Sequence, residues 1–327
     1  MKKLIKWSST SNVKDLVLRS KIIFKIRKFF HNMGIIEVDT PVLSRHAVTD
    51  FNTNCFKTNF FDIKNNKKIN LWMIPSPEYH MKRLLASGIG SIYQICHSFR
   101  NGEHGLYHNP EFTILEWYMI NFNMFDLMKK LNIFLCKILN VKDYNFISYR
   151  DLFIKILKID PIKSKKHMLI KKIIELKHFH LVKNLKILSK KILLEILFVI
   201  GIENKLKRHK LTFVYHFPSD QALLSSINKK DNRLSDRFEV FFKGIEIANG
   251  FHELRDRKIQ ENRFKQDNNL RSRIGIKKIK LDSFFLNALS SGIPKCSGVA
   301  IGIDRLIMLK LNKNNISKVI SFSIDNC

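Results

Sequence analysis

The chain has 327 residues, 45% of them apolar, and a formal charge of +30; this supports one large buried core rather than a small module stapled by disulfides or metal. Five scattered cysteines, Cys55, Cys96, Cys136, Cys296 and Cys327, contain no C-x-x-C pair, which excludes a zinc ribbon or dithiol motif and predicts free thiols in a cytoplasmic protein. Glu195 interrupts the most apolar stretch, 192–202, and the basic start MKKLIKW lacks the apolar segment of a signal peptide, so no membrane partner is expected.

The charge is that of a protein with a polyanionic partner such as RNA or ATP phosphates. Abundant Lys, Ile and Asn, with 26 Phe against 12 Gly and 7 Pro, equally fit the codon usage of an AT-rich genome. Charge alone therefore does not choose the partner.

In chain order, Ile22, Ile23, Ile26, Phe29, Phe30 and Met33 recur at helical spacing over 12–33, and Gly34 stands where the helix should stop. GIIEVDTP follows as a short extended run ended by Pro41. Over 92–119 the runs IYQICHSFR and EFTILEWYM flank a polar loop holding Gly102, Gly105 and Asn109, the pattern of a long antiparallel hairpin. The stretch from about 122 to 210 reads as mainly helical with lysine-rich, solvated faces. FEVFFKGIEIANGF alternates as two strands around Lys243-Gly244, and a strand at 299–301 leads into a helix from Asp304. Antiparallel strands with interspersed helices predict an α+β domain over 16–327 behind a basic tail, 1–15. Neither G-x-G-x-x-G nor a P-loop occurs, so a nucleotide must be held by another device.

Strand alternation puts Phe112, Ile114, Glu116 and Tyr118 on one face of the second hairpin strand. Arg100 closes the first strand and the loop supplies His108 and Asn109. A guanidinium there is suited to grip a phosphate with two parallel hydrogen bonds.

FRNGEHGLYHNPEFTILEWY resembles motif 2 of the class II aminoacyl-tRNA synthetases in their lysyl subgroup, and GVAIGIDRLIML resembles motif 3, ending in Asp304-Arg305. The first helix with GIIEVDTP is similar to motif 1, whose proline is Pro41. NLWMIPSPEYHMKRLL, FVYHFP and RFEVFFKGIEIANGFHEL extend the likeness over nearly the whole chain.

The resemblance implies a class II-type antiparallel sheet flanked by helices, a homodimer built through motif 1, and formation of an aminoacyl-adenylate. A carboxylate attacks the α-phosphorus of ATP and pyrophosphate leaves. With a carboxyl pKa of about 3.5 the nucleophile is already ionised, so the protein must align reactants and neutralise charge rather than supply a base.

The same resemblance gives roles. Arg100 is expected on the α-phosphate, with His108 and Arg305 on the outer phosphates or the purine region. Phe112 stacks on adenine with Arg305 over its other face, a contact of about 1–2 kcal/mol when desolvated. Asn101 and Asn109 add hydrogen bonds, Ile247 a backbone contact, and Gly302 room for close approach. Glu246 and Glu253 suit Mg2+, which takes one or two carboxylates plus phosphates and water; Glu253 is also a candidate for the substrate amine. Lysine has two ammonium groups, and Glu78, Glu116 and Glu253 can meet them, with Tyr118, Ser76, Pro77 and Ala300 shaping the pocket.

Three departures from the family pattern matter. Gly102 stands where motif 2 usually has the Glu of R-x-E, and Glu103 follows, so Glu103 either replaces that contact or the contact is lost. No room precedes motif 1 for the anticodon-reading OB-fold of lysyl-tRNA synthetases. Ser76 and Ala300 occupy positions where those synthetases usually carry alanine (APELYLKRL) and glycine (GLGIGIDR). The chain thus looks like the synthetase paralogues that attach lysine or (R)-β-lysine to a lysine side chain of elongation factor P, with tRNA not expected as acceptor. A minimal lysyl-tRNA synthetase and a non-catalytic regulatory paralogue remain the alternatives.

Overall fold

The computed structural model describes residues 7–177, 185, 188–206 and 210–327. The start of the expected basic tail, 1–6, and parts of the expected helical region, 178–184, 186–187 and 207–209, lie outside the described residues. Two compact units emerge: one runs up to Phe122 and resumes over Arg255–Cys327, and the other is Asn123–Leu254.

The first unit opens with α1 (Val13–His31), capped by the Asn12 side chain on Asp15 N and burying Ile22, Ile26 and Phe30. Gly34, at φ +66°, turns the chain out of the helix. There follow β1 (Ile36–Glu37), β2 (Leu43–Ser44), β3 (Lys57–Asp62), β4 (Lys67–Met73), α2 (Glu78–Ala86), β5 (Ile92–Phe99) and β6 (Glu111–Ile120).

The second unit holds α3 (Met124–Leu139), β7 (Tyr144–Ser148), α4 (Tyr149–Leu157), α5 (Lys166–Glu175), α6 (Lys190–Leu197), β8 (Leu211–Tyr215), β9 (Arg237–Phe242) and β10 (Ile245–His252). A reciprocal cap between Asn123 and Asp126 starts α3. Lys243 and Gly244 both adopt positive φ, +53° and +78°, as a two-residue hairpin turn matched to strand twist requires. The chain then returns to the first unit with α7 (Arg257–Arg273), α8 (Ser283–Ser291), β11 (Cys296–Gly302) and α9 (Ile303–Lys310).

Strand order in the first unit is β1-β5-β6-β11, parallel only at β1/β5, with a small separate sheet β2-β4-β3. In the second it is β7-β8-β9-β10, parallel only at β7/β8. Mostly antiparallel pairing flanked by helices makes the fold α+β. In the first unit Phe30 of α1 stacks on Tyr93 at 4.2 Å and meets the edge of Trp117 at 5.0 Å. Alternation along β6 then turns Glu116 and Tyr118 to the opposite face, away from α1.

The lysine-rich stretch of the second unit earns its helices by burial. Leu152, Phe153, Leu169, Ile173, Leu193 and Leu197 share one core with Val214 and Phe241 of the strands. Among the described residues no helix is long and apolar enough to cross a membrane. Phe153 is wholly buried, so Phe153→Ala should cost about 3–5 kcal/mol in a urea unfolding experiment, the range for emptying an aromatic core position.

Candidate active site

Three strands of the first unit set the floor. In register, Gln94 lies beside Glu116 and Ser98 beside Phe112, while β11 brings Gly298, Ala300 and Gly302 against Tyr118, Glu116 and Ile114. The β11 residues beside Ile114, Glu116 and Tyr118 are small, and these three β6 side chains are buried. Tyr118 Oη donates to Glu116 Oε1 at 2.7 Å, and Ser76 Oγ donates to Glu116 Oε2 at 3.2 Å while accepting from Glu78 N at 3.0 Å. Pro77 is the N-cap residue of α2, so the SPE turn fixes both the hydroxyl and the helix that carries Glu78. Lys82, one turn on and fully buried, donates to Glu78 Oε1 at 2.6 Å, a partner already suggested by its i,i+4 spacing.

At the other end of β6, the Arg100 guanidinium lies 5.1 Å from the Phe112 ring centroid and donates to Glu103 Oε1 at 3.3 Å. Its Nε is buried with no hydrogen-bond partner among the described residues, an orphan donor of the kind that ligands or ordered water satisfy. Arg305 donates from Nε to Tyr107 O at 3.1 Å, and its NH2 meets His108 Nε2 at 2.6 Å. A guanidinium only donates, so Nε2 accepts and the imidazole proton belongs on Nδ1. Sequence reasoning gave Phe112 no cation of its own; in the structure Arg100 lies against its ring.

Gly102 adopts φ +88°, and the turn brings Glu103 onto Arg100 with its second oxygen 4.0 Å from His108 Nε2. Asn109 is used differently from the expectation of a nucleotide contact. Its Nδ2 donates to Glu111 O at 2.7 Å and its Oδ1 accepts from Ile324 N at 3.0 Å, so the amide braces the loop from within the protein. Asn101 is exposed, and its backbone N donates to Asn54 O at 2.8 Å.

Behind this face lies a group that sequence reasoning missed. Asp304 accepts from Thr113 N at 2.7 Å and pairs with Arg19 NH1 at 2.5 Å; Arg19 also donates to Thr113 Oγ1 and to Val319 O. Partners 285 positions apart leave no periodic or spacing signal.

In the second unit, Glu246 and Glu253 are an odd seven residues apart, which on a regular strand would put them on opposite faces. A β-bulge at Ile247 corrects this. Glu246 pairs with Phe241, Asn249 with Glu239 and Phe251 with Arg237, all one face of β9, and alternation carries that face on to Glu253. Burial raises the Glu239 carboxyl, against the pull of Arg237 and with the push of the Glu246 charge. Hard oxygen donors on a face where carboxylates repel one another are a donor set that fits Mg2+. No cluster of three or more metal-ligating side chains occurs among the described residues.

The sequence pattern of the tRNA synthetases class II (D, K and N) matches residues 1–326. The chain belongs to this family. Curated relatives point the same way. A protein of Buchnera aphidicola subsp. Schizaphis graminum named elongation factor P--(R)-beta-lysine ligase is 52% identical over 323 residues, 98% of both chains. Its counterparts from subsp. Baizongia pistaciae and from subsp. Acyrthosiphon pisum (strain APS) are 53% and 52% identical, the latter over all of both chains. The family makes this an ATP-dependent ligase with class II chemistry.

Two outcomes follow from the geometry. Gly102→Glu restores the usual family residue but forces a side chain onto φ +88°, at a cost of about 1–2 kcal/mol; ATP affinity by calorimetry should fall, not rise. Burial and the nearby Glu116 charge push the Cys96 thiol up to about 12. Iodoacetamide at about pH 8, where an ordinary thiol is partly ionised, should therefore label exposed Cys327 and spare Cys96 in peptide mass spectrometry.

Proposed function

We propose that this chain joins lysine or (R)-β-lysine to ATP as an adenylate and transfers the aminoacyl group to a lysine side chain of elongation factor P in the cytoplasm. The observation that carries the nucleotide half is the buried, unsatisfied Nε of Arg100 beside Phe112: a phosphate oxygen is the acceptor it lacks, and the ring is a stacking surface for a purine. Supporting the amino-acid half is Glu116, held by Ser76 and Tyr118 on the same strand face, a carboxylate oriented to meet an ammonium group. The names of the full-length relatives supply the acceptor.

In the first step a carboxylate oxygen of the amino acid bonds to the α-phosphorus and the bond to pyrophosphate breaks. Arg100 takes up the charge gathering on the α-phosphate, His108 and Arg305 hold the outer phosphates, and Phe112 fixes the base; Gly302 and Ile247 offer backbone beside the nucleotide. Such fixed donors stabilise charge without reorganising during reaction. In the second step a neutral lysine amine of the acceptor attacks the carbonyl carbon, AMP leaves, an amide forms and the amine loses a proton. Glu246 and Glu253 would hold Mg2+, which when bound supplies positive charge to phosphate oxygens. Ser76 and Ala300, both beside Glu116, shape the end of the pocket where α- and β-lysine differ, and Glu78, fixed by Lys82, meets an ammonium group. A homodimer through α1 is part of this reading; exposed Val17 and Phe24 on that helix support it.

Pyrophosphate exchange with α-lysine and (R)-β-lysine, followed by transfer of label to purified elongation factor P or to tRNA, tests the proposal. Label should reach the protein, with the β isomer preferred; label on tRNA alone favours a minimal synthetase, and no exchange favours a regulatory paralogue. Ser76→Ala combined with Ala300→Gly should shift the ratio of kcat/KM values toward α-lysine by about tenfold, the scale of one hydrogen bond and one methyl group in a pocket.

A further inference from the structure

The structure assigns Arg19, on α1, as a positioning residue for the nucleotide site, acting through Asp304 from the far side of the sheet. This rests on the reading that Phe112 and Arg305 bind ATP. The Arg19 guanidinium is largely buried and Asp304 is 2% exposed. One guanidinium donates to two acceptors, Thr113 Oγ1 at 2.8 Å and Val319 O at 3.1 Å, and forms an ion pair with Asp304 Oδ1. The other oxygen of Asp304 accepts from Thr113 N at 2.7 Å.

The two residues so locked are chain neighbours of the site. Thr113 follows Phe112 on β6, and Asp304 precedes Arg305 in the first turn of α9. Arg19 thereby sets the offset between the strand carrying the stacking ring and the helix end carrying the cation that holds Tyr107 O and His108. Gly302 beside Ile114 is the last register pair before α9 begins, so beyond it the Asp304 carboxylate ties helix to strand. The Ser76 and Tyr118 hydroxyls hold the Glu116 carboxylate further along β6; misplacement at Thr113 and Asp304 should be felt more by the nucleotide than by the amino acid.

The test uses Arg19→Met, Arg19→Lys, Asp304→Asn and the double variant R19M/D304N in the full chain, at a temperature where circular dichroism shows each one folded. Direct ATP binding and the KM values for ATP and lysine in pyrophosphate exchange are measured together. Arg19→Met should weaken ATP binding about tenfold, within the range for a misplaced site group, while the KM for lysine moves by less than about twofold. Arg19→Lys, which keeps the charge but not the three-way fork, should fall between. Because Arg19 acts through Asp304, the double variant should bind ATP no worse than the weaker single variant, a non-additive cycle. Where R19M alone does not fold, the double variant, which buries no unpaired charge, carries the comparison against Asp304→Asn. Equal shifts in both KM values, or additive losses of ATP affinity, overturn the assignment and leave Arg19 a purely structural partner. Wild-type protein that binds no ATP overturns the nucleotide reading itself, and the assignment with it; wild-type protein that binds ATP without exchange leaves the binding cycle to decide.

Discussion

The buried carboxylate of Asp304 is the point on which the first unit depends. Charge is expensive to bury, and it persists here because the Arg19 guanidinium pairs with one oxygen and the Thr113 amide donates to the other. Breaking such a pair by removing one partner leaves the other buried and uncompensated, a loss of about 3–5 kcal/mol. That penalty makes the arrangement specific: α1, β6 and α9 meet in the one geometry that pairs all three groups. Elements contributed by widely separated stretches of chain are thus joined in register, and the loop between β5 and β6 inherits its place from them.

From that frame the chemistry divides along β6. At one end Arg100, Phe112, His108 and Arg305 gather cations, an aromatic face and an unsatisfied donor, suited to an anionic nucleotide. At the other, Glu116 with Ser76 and Tyr118, and Glu78 with Lys82, gather carboxylates whose orientation is fixed by neighbours. A strand is a good ruler for this division, since alternate residues share a face at fixed spacing. Small residues on β11 let Glu116 and Tyr118 pack as a buried, mutually bonded polar pair.

Much of this was legible in residue order. Helical spacing in α1, the glycine that stops it, the hairpin of β5 and β6 and the Lys243-Gly244 turn are local features, written in periodicity and in residues that tolerate positive φ. The face shared by Phe112, Glu116 and Tyr118 follows from alternation alone. Gly102 and Glu103 were visible as a departure, but only the φ of +88° shows how the turn carries Glu103 to Arg100. Asn109 has the look of a site residue, yet its amide is taken by Glu111 and by Ile324 near the C-terminus, a partner no local pattern could announce.

The sequence by itself determined the family, the kinds of element and the chemical character of each motif, because those depend on neighbours along the chain. Only the tertiary structure decided three things: that Glu246 and Glu253 share a face, through one bulged residue; that Arg100 lies against Phe112; and that Arg19 braces Asp304. Each depends on where strands and helices distant in sequence come to rest against one another. Such placement is set by burial and pairing summed over a whole unit, which no spacing of residues records.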